Sequence, residues 1–153
     1  MDPALTSLRV ELEIPIAAPR ARVWNALVTE TSSWWRADFY VGKSPKAFHF
    51  EAKVGGRVYE DWGEGNGFLW YTVVEVESGV ALRLAGHLMP DSGNSLGTTL
   101  LHLRLEEDGA GGTSLFVVNL LFGQLAPGLA KALESMWQML LGEALKAHCE
   151  RPA

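Results

Sequence analysis

The stretch LRVELEIPIAAPRARVWNALV, residues 8–28, sets the beginning of the fold. Apolar and charged residues alternate up to Ile16, and this period of two predicts a strand with one buried face. Pro19 suits the first position of a helix, because proline has a fixed φ and no N–H to satisfy. The residues after it place one apolar face on that helix, made of Val23, Trp24, Leu27 and Val28.

The sequence pattern predicts β structure in the middle of the chain. A second short helix or turn over Thr29–Trp35 comes first, and glycine-rich turns then separate short apolar stretches as far as residue 122. Consecutive short strands joined by such turns are typical of an antiparallel meander. The predicted strands are Asp38–Val41, Ala47–Lys53, Arg57–Trp62, Phe68–Glu77, Ala81–Leu88, Thr98–Glu106 and Ser114–Phe122.

The last segment, Pro127 to about Glu150, predicts one long helix with a broad apolar stripe. A sheet of seven or eight strands curls through its own twist, and only this helix can cover its concave face. We therefore predict an α+β fold in a single domain, residues 1–153, with two short helices after the first strand. A curled sheet around one helix tends to leave a gap, where small apolar ligands bind.

Composition excludes several classes of function. The net charge is −5 and Lys and Arg do not cluster, which argues against binding to nucleic acid or to an anionic membrane. Apolar runs are shorter than the roughly 20 residues of a membrane span, and the N-terminus has no signal-peptide pattern. We expect a cytoplasmic protein. The four histidines and Cys149 lack the spacing of metal ligands, so no metal or cofactor is predicted.

Four residues are candidates for acid–base chemistry: Tyr59, Glu60, Asp61 and His87. A carboxylate in an apolar cavity has a raised pKa and can exchange protons with a substrate. On a strand, Tyr59 and Asp61 share one face while Glu60 and Trp62 share the other, and the pattern does not say which face is buried. His87 lies at a strand end, near a loop. The alternative for each of these residues is a solvated surface group, and this is the interpretation we favour.

Aromatic residues are numerous, with six Trp, six Phe and three Tyr. Many of them must fill the core, and some could line a pocket. The predicted strand Ser114–Phe122 is an apolar stretch that Asn119 interrupts. Asn119 is either a ligand contact or a satisfied core amide. That stretch is apolar on both faces, so a homodimer is possible. The predicted pocket residues are Trp35, Phe50, Trp62, Trp70, Leu101, Asn119, Met136, Trp137 and Leu140.

Several motifs resemble one superfamily. Residues 10–27 resemble the opening of START/Bet v 1-like proteins, also called SRPBCC or helix-grip proteins. VGGRVYE (residues 54–60) and GFLW (residues 67–70), the latter followed by VVEV, are similar to strands of its branch of homologues of the activator of the heat-shock-protein-90 ATPase. Trp137, Leu140 and Leu141 resemble the last helix of that branch.

This resemblance implies a helix-grip fold with a cavity for a hydrophobic ligand. The superfamily includes lipid and sterol carriers, hormone receptors, polyketide cyclases and co-chaperone domains, so the fold alone does not fix the function. We place first a protein that binds a small hydrophobic or aromatic ligand. A cavity enzyme of the cyclase, dehydratase or hydrolase type comes second. An interaction module for a heat-shock-protein-90 homologue comes third.

Overall fold

The computed structural model describes residues 4–89 and 95–152. Seven antiparallel strands form one curved open sheet in the order β1-β7-β6-β5-β4-β3-β2, so the first strand pairs with the last. The strands are β1 (Thr6–Ile16), β2 (Ala47–Phe50), β3 (Arg57–Gly63), β4 (Asn66–Glu77), β5 (Ala81–Leu88), β6 (Leu96–Glu107) and β7 (Thr113–Gln124).

Helices lie after β1 and at the end of the chain. The first pair is α1 (Arg20–Thr29) and α2 (Thr31–Trp34). The C-terminal helix consists of α3 (Leu129–Trp137), a π-helical segment (Gln138–Leu145) and α4 (Lys146–Glu150). This arrangement confirms the predicted helix-grip fold. Within the two described ranges, no helix is both long enough and apolar enough to cross a membrane.

The core lies between the concave face of the sheet and the C-terminal helix. Alternation on each strand turns one set of side chains inward, as Leu115 and Val117 show on β7. The helix contributes Trp137, Leu141 and Leu145, each almost completely buried. Each such side chain stabilises the fold by roughly 1.5–3 kcal/mol relative to an exposed position.

The predicted strand Asp38–Val41 is wrong. A short 3₁₀ turn, Ala37–Phe39, stands there, and the chain continues without a strand to Ala47. The backbone N–H groups of Val41 and Gly42 donate to the carboxylate of Glu60 instead of to a neighbouring strand. A side chain thus replaces the ladder partner that a strand would need.

Both predicted helix starts are one or two residues early. Pro19 has an extended backbone and precedes α1, which begins at Arg20. Pro127 also precedes its helix, because Gly128 adopts a left-handed φ of 79° and α3 starts after it. Further on, the N–H of Lys146 donates to the carbonyl of Leu141, five residues back, so the helix is widened there.

Candidate functional site

A small cavity lies inside the grip, between the sheet and the C-terminal helix. Its volume is about 20 Å³. That space holds about one water molecule, whereas pockets for drug-sized ligands measure roughly 300–1,000 Å³. The gap is therefore far smaller than the sequence led us to expect. Its walls are apolar or aromatic except for Thr31, and consist of Leu27, Thr31, Trp34, Trp35, Phe48, Phe50, Val58, Tyr71, Leu84, Leu101, Leu103, Trp137 and Leu141.

Aromatic packing explains why so little space remains. The ring of Trp35 stacks on Phe48 with centroids 4.3 Å apart and meets the edge of Trp70 at 5.3 Å. The ring centroid of Trp34 lies 5.8 Å from that of Trp35. Offset stacks and edge contacts of this kind are favourable arrangements for aromatic rings. The large side chains of α2 and its continuation thus fill this end of the grip.

The indole N–H of Trp35 is the unusual group in this wall. Trp35 is only 8% exposed, and its Nε1 is the one buried side-chain polar atom without a hydrogen-bond partner among the described residues. The other buried indoles are paired: Trp34 Nε1 donates to the carbonyl of Ala26 at 2.8 Å. An unpaired buried donor costs about 1–3 kcal/mol. An acceptor atom that reached Nε1 would remove that cost.

Asn119 is a satisfied core amide. Its Oδ1 accepts from Trp137 Nε1 at 3.0 Å, and its Nδ2 donates to Thr99 Oγ1 at 2.8 Å and to the carbonyl of Leu100 at 3.0 Å. The amide therefore connects the C-terminal helix to β6 and β7.

Nearby, burial raises the pKa of Tyr71 far above its ordinary value, with a smaller opposing effect from Thr99, so the phenol stays neutral.

Glu60 points into the protein and is completely buried. Its Oε2 accepts from Val41 N at 2.6 Å and Trp70 Nε1 at 2.9 Å, and its Oε1 accepts from Gly42 N at 2.9 Å and Trp62 Nε1 at 3.0 Å. We call residues 37–46 the strap. Four N–H donors surround the carboxylate, and they attach the strap to β3 and β4. Such a carboxylate is a structural anchor.

The strap also packs closely on Trp62. A Cβ built on Gly42 would come within 2.3 Å of Trp62 Nε1, so only glycine leaves room for the indole at this point. Trp62 keeps 37% of its surface exposed, outside the cavity. The sequence placed Trp62 in the pocket, whereas in the structure its indole completes the hydrogen bonds of Glu60.

The other acid–base candidates lie outside the grip. Asp61 and Tyr59 are on the opposite face of β3 from Glu60, and His87 is exposed on β5. The N–H of Gly63 donates to Asp61 at 2.8 Å, and this bond, together with nearby His49, lowers the pKa of the carboxyl. None of the four candidates belongs to the cavity wall. In residues 4–89 and 95–152, His, Cys, Asp and Glu form no group of three that could hold a metal.

Of the nine predicted pocket residues, four line the cavity and five do not, and the five include Trp62 and Asn119 described above. Trp35, Phe50, Leu101 and Trp137 line the cavity. Trp70 and Met136 are half-buried against the core, and Leu140 is fully buried in it, but none of these three reaches the cavity wall. Sequence reasoning omitted Phe48, Tyr71 and Leu141 from the pocket. Their inward positions follow from alternation and helical spacing once the inward face of each element is known.

The sequence of residues 17–150 matches the family described as activator of Hsp90 ATPase homolog 1-like protein. The chain belongs to this family. The match covers nearly all of the described structure, and it confirms the superfamily and branch inferred from the motifs. No curated protein matches the sequence significantly.

Solved structures show the same fold. The Mll3558 protein of Rhizobium loti is 19% identical over 94% of this chain and 98% of its own, with a TM-score of 0.71. Ara h 8.0201 is 10% identical over 94% of this chain and 98% of its own, with a TM-score of 0.66. DynU16, from the dynemicin biosynthetic locus, is 21% identical over 93% of this chain and 47% of its own, with a TM-score of 0.62. Identities this low establish the fold alone.

Proposed function

We propose that this protein binds a small, flat, apolar ligand inside the grip, with an acceptor oxygen on the ligand directed at Trp35 Nε1. The unpaired indole N–H in an aromatic wall carries this proposal. Burial of the apolar frame supplies most of the affinity, and the single hydrogen bond fixes the orientation. The family's helix-grip architecture supports an interior site.

Entry of such a ligand requires side chains to move, because the closed cavity holds about 20 Å³. Trp70 borders this region, since it is only half-buried and its ring centroid lies 5.3 Å from that of Trp35. The π-helical segment contributes Leu141 to the cavity wall. Widened helical turns of this kind are frequently found at functional sites.

No observation favours the cavity enzyme. Glu60 is the only one of the four candidates that points inward, and both of its oxygens already accept two N–H donors. The family's name describes an ATPase activator, but the proposal for this chain rests on its interior and not on that name.

A matched pair of probes tests the proposal. α-Tetralone and tetralin share a bicyclic frame, and only the ketone has an acceptor oxygen. We expect the protein to bind α-tetralone about five- to tenfold more tightly than tetralin, since one hydrogen bond contributes roughly 1 kcal/mol. Trp35→Phe keeps an aromatic ring and removes the N–H. We expect this variant to bind both probes with similar affinity, as measured by calorimetric titration.

A Trp24→Phe variant is the matched control, because Trp24 is half-buried on α1 and does not line the cavity. It should keep the preference for the ketone. The proposal is wrong if the folded wild-type protein binds neither probe, or if Trp35→Phe retains the full preference.

A further inference from the structure

The two edge strands of the sheet, β1 and β2, are covered by side chains to different extents. On β2, the hydroxyl of Ser32 donates to the carbonyl of Phe48 and accepts from its N–H, so this short edge is occupied. On β1, Lys146 of α4 donates to the carbonyl of Pro15, near the end of the strand. Earlier residues of β1 have no such backbone contact within the described ranges. An open edge of this kind can pair with another strand.

The odd-numbered residues of β1 direct their backbone groups toward the open edge. Residues of a strand point their N–H and C=O groups to alternate sides, and the carbonyl of Pro15 faces Lys146 and not β7. Proline suits this position, because it has no N–H to give to the sheet. Even-numbered residues therefore bond to β7. Four N–H and four C=O groups remain at the edge without a partner among the described residues, those of Ser7, Arg9, Glu11 and Glu13.

The side chains of the same four residues are exposed on the outer face of the sheet. Arg9 and Glu11 form an ion pair along the strand. With Glu13, the charges beside the edge sum to 1 − 2 = −1, and the neighbouring strand β7 contains no charged residue. A run of one sign protects an edge strand from pairing. Here the sign changes between Arg9 and Glu11, which permits pairing in selected registers.

One antiparallel register matches these charges between two copies of the chain. With a two-fold axis at Val10, Arg9 lies opposite Glu11 of the second copy, and Glu11 lies opposite its Arg9. Glu13 then lies opposite Ser7 of the second copy and diagonal to its Arg9. An axis at Arg9 or at Glu11 instead places two like charges directly opposite each other, which is unfavourable.

The same register also satisfies the backbone. Each directly opposed pair of edge-facing residues exchanges two hydrogen bonds, so the four pairs form 4 × 2 = 8. On the inner side, the half-buried Leu8 lies opposite Leu12 of the second copy, and Val10 lies opposite Val10. Specific interfaces carry about ten direct hydrogen bonds. Main-chain bonds supply the affinity when a strand is added to a sheet edge, so the area can be small.

We infer that two copies of this chain associate edge to edge through residues 7–13 of β1, joining two seven-stranded sheets into one of 2 × 7 = 14 strands. Because a single strand pair buries less area than a standard interface, the dimer is a weak one. No residue of β1 lines the cavity, so this association does not depend on the ligand proposed above.

Sedimentation velocity at protein concentrations up to about 500 µM tests the inference. We expect the wild-type mass to rise from 16.7 kDa toward 2 × 16.7 = 33.4 kDa. Arg9→Glu alone and Glu11→Arg alone should each weaken association about tenfold, because both opposed charge pairs become like pairs. An equimolar mixture of these two variants should associate nearly as well as the wild type, since each opposed pair again joins unlike charges.

Arg104→Glu and Glu106→Arg are the matched controls. These residues form an ion pair with the same spacing on β6, an interior strand without an open edge. Each control changes the net charge exactly as its edge counterpart does, and we expect the wild-type dimer from both. Far-UV circular dichroism confirms that every variant is folded.

Three results would overturn the inference. The first is a folded wild-type protein that stays at 16.7 kDa at every concentration. The second is a dimer that neither single edge variant weakens, since it would use another surface. The third is an equimolar mixture of the edge variants that associates no better than each variant alone, since opposed Arg9 and Glu11 would then not hold the copies together.

Discussion

Replacing Glu60 by alanine should lower the free energy of unfolding by about 3–5 kcal/mol. The substitution leaves four N–H donors without an acceptor, those of Val41, Gly42, Trp62 and Trp70. Each unpaired donor that stays buried costs about 1–3 kcal/mol, and the strap loses its attachment to the sheet. Local rearrangement and entry of water lower the summed cost of the four unpaired donors. The expected loss of unfolding free energy therefore falls within the range measured for breaking a buried ion pair.

The nearly isosteric Glu60→Gln separates the effect of shape from that of charge. A glutamine amide has one acceptor oxygen, so it can serve two of the four donors, while its NH₂ group faces the other two. We expect a loss of about 2–3 kcal/mol, smaller than for alanine. Urea unfolding followed by circular dichroism measures both variants.

Glu134→Ala on the exposed face of α3 is the control for these variants, with an expected change within about 0.5 kcal/mol. Trp fluorescence supplies a local readout, because the indoles of Trp62 and Trp70 both donate to Glu60. A cost below about 1 kcal/mol for Glu60→Ala would contradict the role of Glu60 as the anchor of the strap.

Asn119→Asp should cost about 3–4 kcal/mol at pH 7. The carboxylate can still accept from Trp137, and the Thr99 hydroxyl can turn to donate to it, but the bond that Nδ2 donates to the Leu100 carbonyl is lost. It also places a buried negative charge beside the Leu100 carbonyl, which costs more than a neutral group would.

Acidification should partly rescue Asn119→Asp. Burial raises the pKa of the new carboxyl above its value in the unfolded chain, so the folded state binds the proton more tightly. Stability relative to wild type therefore increases as pH falls from 7 through that raised pKa, and the protonated acid can again donate to Leu100. Gln138→Glu, the same change at an exposed site, should show neither the loss nor the rescue. A stability gap that does not narrow at low pH would count against the buried network.

Local patterns account for most of the fold. Alternation identified the strands, and the stripe on residues 129–145 identified the helix that covers them, because burial of one face dictates both periods. The strap was misassigned for a related reason: Phe39, Tyr40 and Val41 suit a strand, whereas the backbone N–H of Val41 donates to a side chain about twenty residues later. A single sequence does not show that long-range contact.

The interior was harder to predict than the fold. Its volume depends on how Trp35, Phe48 and Trp70 fit together, and packing of this kind is decided by rotamers that a residue pattern does not contain. The sequence did not show whether Asn119 contacts a ligand or is a satisfied core amide. In the structure Trp137 of the C-terminal helix donates to its Oδ1, so Asn119 is a core amide. The unpaired N–H of Trp35 could be found only after every other buried partner was known.

The most direct test of the proposed ligand site is the ¹H–¹⁵N NMR spectrum of the indole groups during titration with α-tetralone. The chain has six tryptophans, and the spectrum of Trp35→Phe identifies the Trp35 signal by its loss. We expect that signal to move downfield by more than any other indole signal as the ketone binds, because its N–H gains an acceptor. Saturable binding that leaves the Trp35 signal in place, or no binding to the folded protein, would contradict the account.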